Sequence, residues 1–272
     1  MKPTKKFESS YTLYTAFTML HTIPGPLFRA TVVKRPSATI KSPYVADIRL
    51  DDGRVGLCHT PGLGCSGLVE ANKVIYVTTS KSGSKTAFTA QLAECTDAEG
   101  VFHVGIHPMV SQNAAKNLLH RISAEATWSS EVFVDDHTRI DYAGKLPNGK
   151  TIYVEVKTGM ISLECSKPRT SRRAIFPDGY RKKITDTVSP RAVKHAETLT
   201  ELIKDPNIEM AVLLFVVPRN DCRDGLVINP ADPIYRNAVD KAWRAGVHIR
   251  AFSLQYNIDG CIQADKEVAV IV

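Results

Sequence analysis

The chain has 272 residues, 43% hydrophobic and 23% charged, which is enough apolar material for a buried core in one or two domains and unlike the composition of a disordered polypeptide. Its formal net charge of +7 favours a polyanionic partner without naming one. Six cysteines without a C-x-x-C pair argue against zinc and against a small disulfide framework.

In chain order, residues 1–26 end on Pro24-Gly25-Pro26 and read as an N-terminal extension. Lys2, Lys5 and Lys6 are followed by no sustained apolar stretch, so the start is not a secretory signal and gives little support for organelle targeting. Residues 27–106 carry short β-rich runs, Ala30–Val33, Tyr44–Leu50, Arg54–Cys58, Val74–Thr79, Phe88–Ala93 and Phe102–Ile106, separated by turn signals such as Asp51-Asp52-Gly53 and Glu99-Gly100. That spacing predicts a small closed or partly closed barrel. Residues 107–127 form a helical linker, with Ala114, Ala115, Leu118, Leu119 and Ile122 on one stripe. From 128 to 258 the pattern alternates strand and helix: paired strands over Ser130–Tyr142 and Thr151–Thr158, a helix opened by Ser189-Pro190, a buried strand over Met210–Val217, a helix opened by Asp232-Pro233 and ended by Gly246, and a last strand over Val247–Leu254. Trp243 is assigned to the core side of that last helix. Residues 259–272 are a tail. The class is α/β (α+β). No apolar run nears the roughly 20 residues that span a bilayer, and the reading is an intracellular protein, cytoplasmic or nucleoid-associated, with a homodimer left open.

The charge is local. Between Lys157 and His195 ten basic residues face only Glu164, Asp178 and Asp186, an excess equal to that of the whole chain. Arg169, Arg172, Arg173, Arg181, Lys182, Lys183, Arg191 and Lys194 therefore form a candidate phosphate-binding segment. Beside it stand Asp141 and the run Glu155-Val156-Lys157. On a strand Glu155 and Lys157 share a face, with Val154 and Val156 turned to the core. A three-residue loop Pro147-Asn148-Gly149, with Gly149 left-handed, puts Asp141 directly opposite Glu155. Two carboxylates that close repel unless a proton or cation lies between them, and Mg²⁺ (or Mn²⁺) suits such a pair plus phosphate and water. Lys157 would orient water or stabilise phosphate charge. An acid and a lysine on an exposed strand are more often a surface ion pair; the α/β frame and the basic segment raise the metal reading. Gly62, Gly64 and Gly67 are not a phosphate loop, because no Gly-Lys-Ser/Thr follows. Tyr142 and Tyr153 flank the acids and are candidates for base stacking or for ordinary half-buried strand positions.

Arg139-Ile140-Asp141, Glu155-Val156-Lys157, Phe176-Pro177-Asp178 and Lys194-His195, in that order and preceded by Arg29-Ala30-Thr31, Val45-Ala46-Asp47, His59-Thr60-Pro61 and Ser130-Glu131-Val132, resemble the bacterial sugar fermentation stimulation protein A (SfsA) family over about residues 27–256. The resemblance implies an N-terminal OB-like β-barrel followed by a PD-(D/E)xK restriction-endonuclease-like domain that binds DNA. It also implies that Asp141, Glu155 and Lys157 fill a nuclease triad, that Glu131 is a further acid near the metal, and that Arg139, Lys194 and His195 contact phosphate or close the site. The chain departs from the family pattern where Gly62-Leu63-Gly64 replaces Asn-Ser/Thr-Gly, in extra residues between Asp178 and Val188, and in Ala192-Val193 replacing Gly-Gln. The expected function is DNA binding with Mg²⁺-dependent phosphodiester cleavage; the alternatives are a non-catalytic DNA-binding transcriptional regulator and an RNA-binding or RNA-cleaving protein.

Overall fold

The computed structural model describes residues 6–7, 18–62, 65–179, 181 and 183–272. Two short N-terminal strands, β1 (Lys6–Phe7) and β2 (Met19–Thr22), precede a barrel built from β3 (Phe28–Lys34), β4 (Val45–Leu50), β5 (Val55–His59), β6 (Val74–Thr79) and β7 (Phe88–Asp97), with β8 (Gly100–Gly105) paired outside β7. All of these pairings are antiparallel except one: β5 runs parallel to β7 through Cys58–Phe88 and His59–Thr89. That pairing closes the ring β3-β4-β5-β7-β6, an OB-like order. The inward residues follow the period of two that a strand imposes: Ala30 and Val32, Ile48 and Leu50, Ile75 and Val77 fill the barrel with Cys58, Phe88 and Ala90.

After α1 (Pro108–Lys116) the chain builds a seven-stranded mixed sheet. Its strands are β9 (Thr127–Phe133), β10 (Arg139–Lys145), β11 (Thr151–Thr158), β13 (Ile208–Val217), β15 (His248–Tyr256) and β16 (Cys261–Val268), with β2 at one edge and β9 at the other. β11, β13 and β15 are parallel, and the links between them carry α2 (Pro190–Leu202) and α3 (Pro233–Arg244). Parallel neighbours need such crossovers, and strands buried on both faces read as unbroken apolar runs, as Ala211–Val217 does. Both helices start as their sequences dictate: Ser189 accepts from Ala192 N–H and Asp232 from Tyr235 N–H, each with proline in the first turn. One sheet face packs on α1 through Val110, Ala114, Val154 and Val156. The other packs on α2 and α3 through Ala192, Leu199, Leu213, Phe215 and Val239. This is the α/β domain expected after the barrel, a mixed sheet with helices on both faces.

Four expectations change. Residues 1–26 and 259–272 are not wholly extension and tail, because β2 and β16 are sheet strands and a second, four-stranded sheet joins β1, β17 (Val270–Ile271), β14 (Gly225–Ile228) and β12 (Arg173–Phe176). A sheet edge recruits chain from any distance in sequence, which local patterning does not register. The strand read as Ser130–Tyr142 is two strands, turned where Val134 N–H bonds the Thr138 carbonyl and Asp135 accepts from His137 N–H. The linker helix ends at Lys116, with a 3-10 turn over Leu119–Arg121. Trp243 is 40% exposed rather than core. Among the described residues no helix is long and apolar enough to cross a membrane.

Candidate functional site

The connection from β10 to β11 positions the site. Leu146 N–H bonds the Lys150 carbonyl, Gly149 N–H bonds the Leu146 carbonyl, and Gly149 sits at φ +82°. This three-residue loop sets the register Tyr142–Val154, Ala143–Tyr153, Gly144–Ile152 and Lys145–Thr151. One step further lies the pair Asp141–Glu155, and there the ladder stops. Instead of a strand carbonyl, Val156 N–H meets the Asp141 carboxylate at 2.8 Å, and Asp141 N–H faces Glu155 Oε2 at 3.4 Å. The strands part at this point and the two carboxylates lie in the opening. β10 also turns about Asp141: Ile140 packs with α2 and Tyr142 with α1, so strict alternation does not hold through this residue.

Glu155 is 1% exposed. Burial pushes its carboxyl up, but the His195 hydrogen bond and the Lys157 charge outweigh burial and hold it below the ordinary range. Lys157 Nζ and His195 Nδ1 both contact Glu155 Oε1, and they lie 3.3 Å from each other. Arg191, one helical turn before His195, reaches its Nε2 at 3.4 Å. Asp141 has no basic residue so close; burial and the neighbouring Glu155 charge push its carboxyl up. Gln112 Nε2 approaches its Oδ1 at 3.4 Å from α1. A cleft of about 250 Å³ is bounded by Pro108, Gln112, Asp141, Glu155, Lys157 and Arg191.

The sequence-based site residues separate into three groups. Asp141, Glu155, Lys157 and Arg191 come together. Glu131 stands opposite Asp141 in the β9–β10 register and lies near enough to raise it electrostatically. However, its backbone is left-handed (φ +57°) and its carboxylate pairs with Arg139 at 2.6 Å. Among the described residues no set of three acidic, histidine or cysteine side chains is placed to hold a metal. In the structure Glu131 and Arg139 form a mutual ion pair at the surface beside Asp141. His195 is 5% exposed and props Glu155 from behind rather than meeting phosphate.

The basic segment is corrected most. Arg169 and Arg172, 7% and 2% exposed, bind Asp97, and Arg172 also binds Asp221. Arg173 binds Glu164, and Arg181 donates to the Ala231 carbonyl. Folding pairs Arg169 and Arg172 internally because a buried guanidinium requires acceptors, while Arg173 stays 30% exposed and Arg181 meets a neutral carbonyl. Lys183 and Lys194 are exposed, and Lys182 lies outside the described residues, as do Leu63 and Gly64. Tyr142 is 5% exposed and donates to the Gln112 carbonyl, so its ring is not presented for stacking, and Tyr153 is half-buried against the core on the opposite sheet face. Sequence reasoning missed Gln112, and its placement in the described linker gave no signal beyond a polar side chain opposite the apolar stripe.

The model of the sugar fermentation stimulation protein RE domain matches residues 106–260. Among curated relatives, the sugar fermentation stimulation protein homolog of Synechococcus elongatus is 28% identical over 89% of this chain and 94% of its own length. That of Caulobacter vibrioides is 28% identical over 86% and 90%. A solved structure of SfsA from Pyrococcus furiosus, in complex with Ca²⁺, aligns with a TM-score of 0.72 at 21% identity, covering 94% of this chain and 100% of that one. With a family model spanning more than half of its length and its barrel and α/β domain shared with a solved SfsA structure, the chain belongs to the sugar fermentation stimulation protein family.

Proposed function

We propose that this protein binds DNA and hydrolyses phosphodiester bonds with a divalent cation, Mg²⁺ or Mn²⁺, held by Asp141 and Glu155. The observation that carries the reading is the meeting of these two carboxylates where β10 and β11 part, with the Asp141 carboxyl pushed up by burial and then by the Glu155 charge. A cation between them relieves that repulsion, and two carboxylates plus water and phosphate are a usual oxygen set for Mg²⁺. The donors are hard oxygens, and the P. furiosus relative was solved with Ca²⁺, a cation of the same preference. When bound, such a cation supplies Lewis acidity and lowers the pKa of a coordinated water.

The chain's own residues supply the rest. His195 fixes the Glu155 carboxylate from the buried side. Lys157, 13% exposed at the cleft, orients the attacking water and stabilises charge on phosphate oxygens. Arg191 at the rim pairs with the DNA backbone, aided by Lys194 on the exposed face of α2.

Single- and double-stranded DNA and RNA incubated with Mg²⁺ or Mn²⁺ test the reading. DNA should be cut, and Glu155→Gln should abolish cutting while leaving DNA affinity nearly intact. Lys157→Met should slow cutting by about 10²–10³-fold. Absence of cutting by the wild-type chain, with DNA binding unchanged in Glu155→Gln, would leave a non-catalytic DNA-binding regulator; cutting confined to RNA would reassign the substrate.

A further inference from the structure

Between the barrel and the α/β domain lies a second cavity of about 480 Å³, which shares no lining residue with the Asp141–Glu155 cleft. A volume of this size falls within the range of small-molecule sites, about 300–1,000 Å³. The barrel contributes Glu94, Asp97 and Phe102, and the α/β domain contributes Arg172 and Arg219. The guanidinium groups of Arg169, Arg172 and Arg219 stand 5.0, 5.8 and 5.6 Å from the Phe102 ring centroid.

Arginine side chains cluster here, with Glu99 a further carboxylate beside Arg169. Three arginines share two carboxylates: Asp97 takes Arg169 and Arg172, and Asp221 takes Arg172 and Arg219. Glu94 is committed to Arg29 and the Tyr76 hydroxyl. No carboxylate is left to hold a cation. On the donor side Arg172 is 2% exposed, and its two terminal nitrogens are spent on Asp97, Asp221 and the Cys165 and Lys167 carbonyls. Its Nε–H is buried and meets no acceptor, a condition that native proteins rarely leave unresolved. Lys73, exposed at the rim, forms no ion pair among the described residues. A buried unpaired donor within an arginine cluster and a lysine at the entrance both ask for an acceptor-rich anion.

We propose that this interdomain cavity binds a small phosphate monoester. Its phosphate accepts from Arg172 Nε–H beside Arg219, its organic part fills the space over Val74 and Ile161, and Lys73 meets it at the mouth. The ligand would bridge the barrel and the α/β domain. The site does not depend on cleavage at Glu155.

Calorimetric titration of the full chain with AMP and with inorganic phosphate, in EDTA to keep divalent cations out of the cleft, tests it. AMP should bind more tightly than phosphate. Lys73→Glu, an exposed change, should weaken AMP about tenfold or more, the order of one charge-assisted contact. Arg172→Lys keeps the charge but removes Nε–H and should weaken it further; if that variant does not fold, Lys73→Glu still decides. Glu155→Gln should leave AMP affinity unchanged. The proposal is overturned by absence of AMP binding up to roughly 10 mM, by equal AMP affinity in wild type and Lys73→Glu, by phosphate binding as tightly as AMP, or by loss of AMP binding in Glu155→Gln.

Discussion

Removing His195 isolates what supports the candidate metal site from the ligands themselves. In His195→Ala the Asp141 and Glu155 carboxylates remain, but Glu155, 1% exposed, loses its buried hydrogen-bond partner and keeps only Lys157 on that oxygen. A hydrogen bond to a charged group contributes about 1.5–3 kcal/mol, and at about 1.4 kcal/mol per tenfold that is roughly a tenfold to hundredfold loss. Loss of an orienting partner behind a metal ligand falls in the same range, about 10–100-fold in metal affinity or activity. The Mn²⁺ concentration giving half-maximal cleavage should therefore rise by about one to two decades, while the rate at saturating Mn²⁺ falls less. Direct Mn²⁺ titration followed by electron paramagnetic resonance should show the same shift without relying on activity. Stability should fall too, by about 1–3 kcal/mol for a buried acceptor left short of a partner, so urea unfolding must show the variant folded under assay conditions. An unchanged Mn²⁺ affinity in folded His195→Ala would refute the view that His195 holds Glu155 for a cation.

Other expectations follow from the packing. Asp221→Ala leaves Arg172 and Arg219 short of a partner in a site where all three are 3% exposed or less; it should cost about 3–5 kcal/mol in urea unfolding. Asp97 and Asp221 are held below the ordinary carboxylate range, Asp97 by its arginine bonds first, Asp221 by the Arg219 and Arg172 bonds that outweigh its burial. Carboxylates lowered on folding contribute stability that is full above the unfolded value near pH 4 and lost as pH falls through the folded values. The urea midpoint should thus drop between roughly pH 4 and pH 2, and a Tm independent of pH there would contradict the pairing. Gly105→Ala places a Cβ 2.4 Å from Tyr256 Cζ, inside a buried ring whose hydroxyl bonds Ser111. The expected cost is about 1–3 kcal/mol of overpacking, read as a lower Tm. Gly149→Val, at φ +82° with open space around it, should cost about 1–2 kcal/mol through backbone strain alone.

Much of the fold is local physics and was legible. The barrel strands follow from period-two apolar runs between turn residues, both α/β helices from Ser189-Pro190 and Asp232-Pro233, and the opposition of Asp141 and Glu155 from a three-residue loop whose glycine must be left-handed. What sequence could not decide is which charges find partners. Arg169, Arg172 and Arg173 look like part of a phosphate-binding stretch when counted along the chain, yet their acceptors Asp97 and Asp221 lie about 50–75 residues away, and Glu164 lies across a turn. His195 was expected to contact phosphate or close the site on the resemblance alone, since a helix pattern does not show what a neighbouring strand presents to a histidine. The terminal strands β1, β2 and β17 were invisible for the same reason: β1 and β2 pair at sheet edges and β17 lies between β1 and β14, all settled by long-range closure. Sequence thus determined the elements and the opposed acids by short-range geometry, while tertiary structure alone decided which cations stay free, because desolvation forces buried charges to pair wherever the fold brings an acceptor.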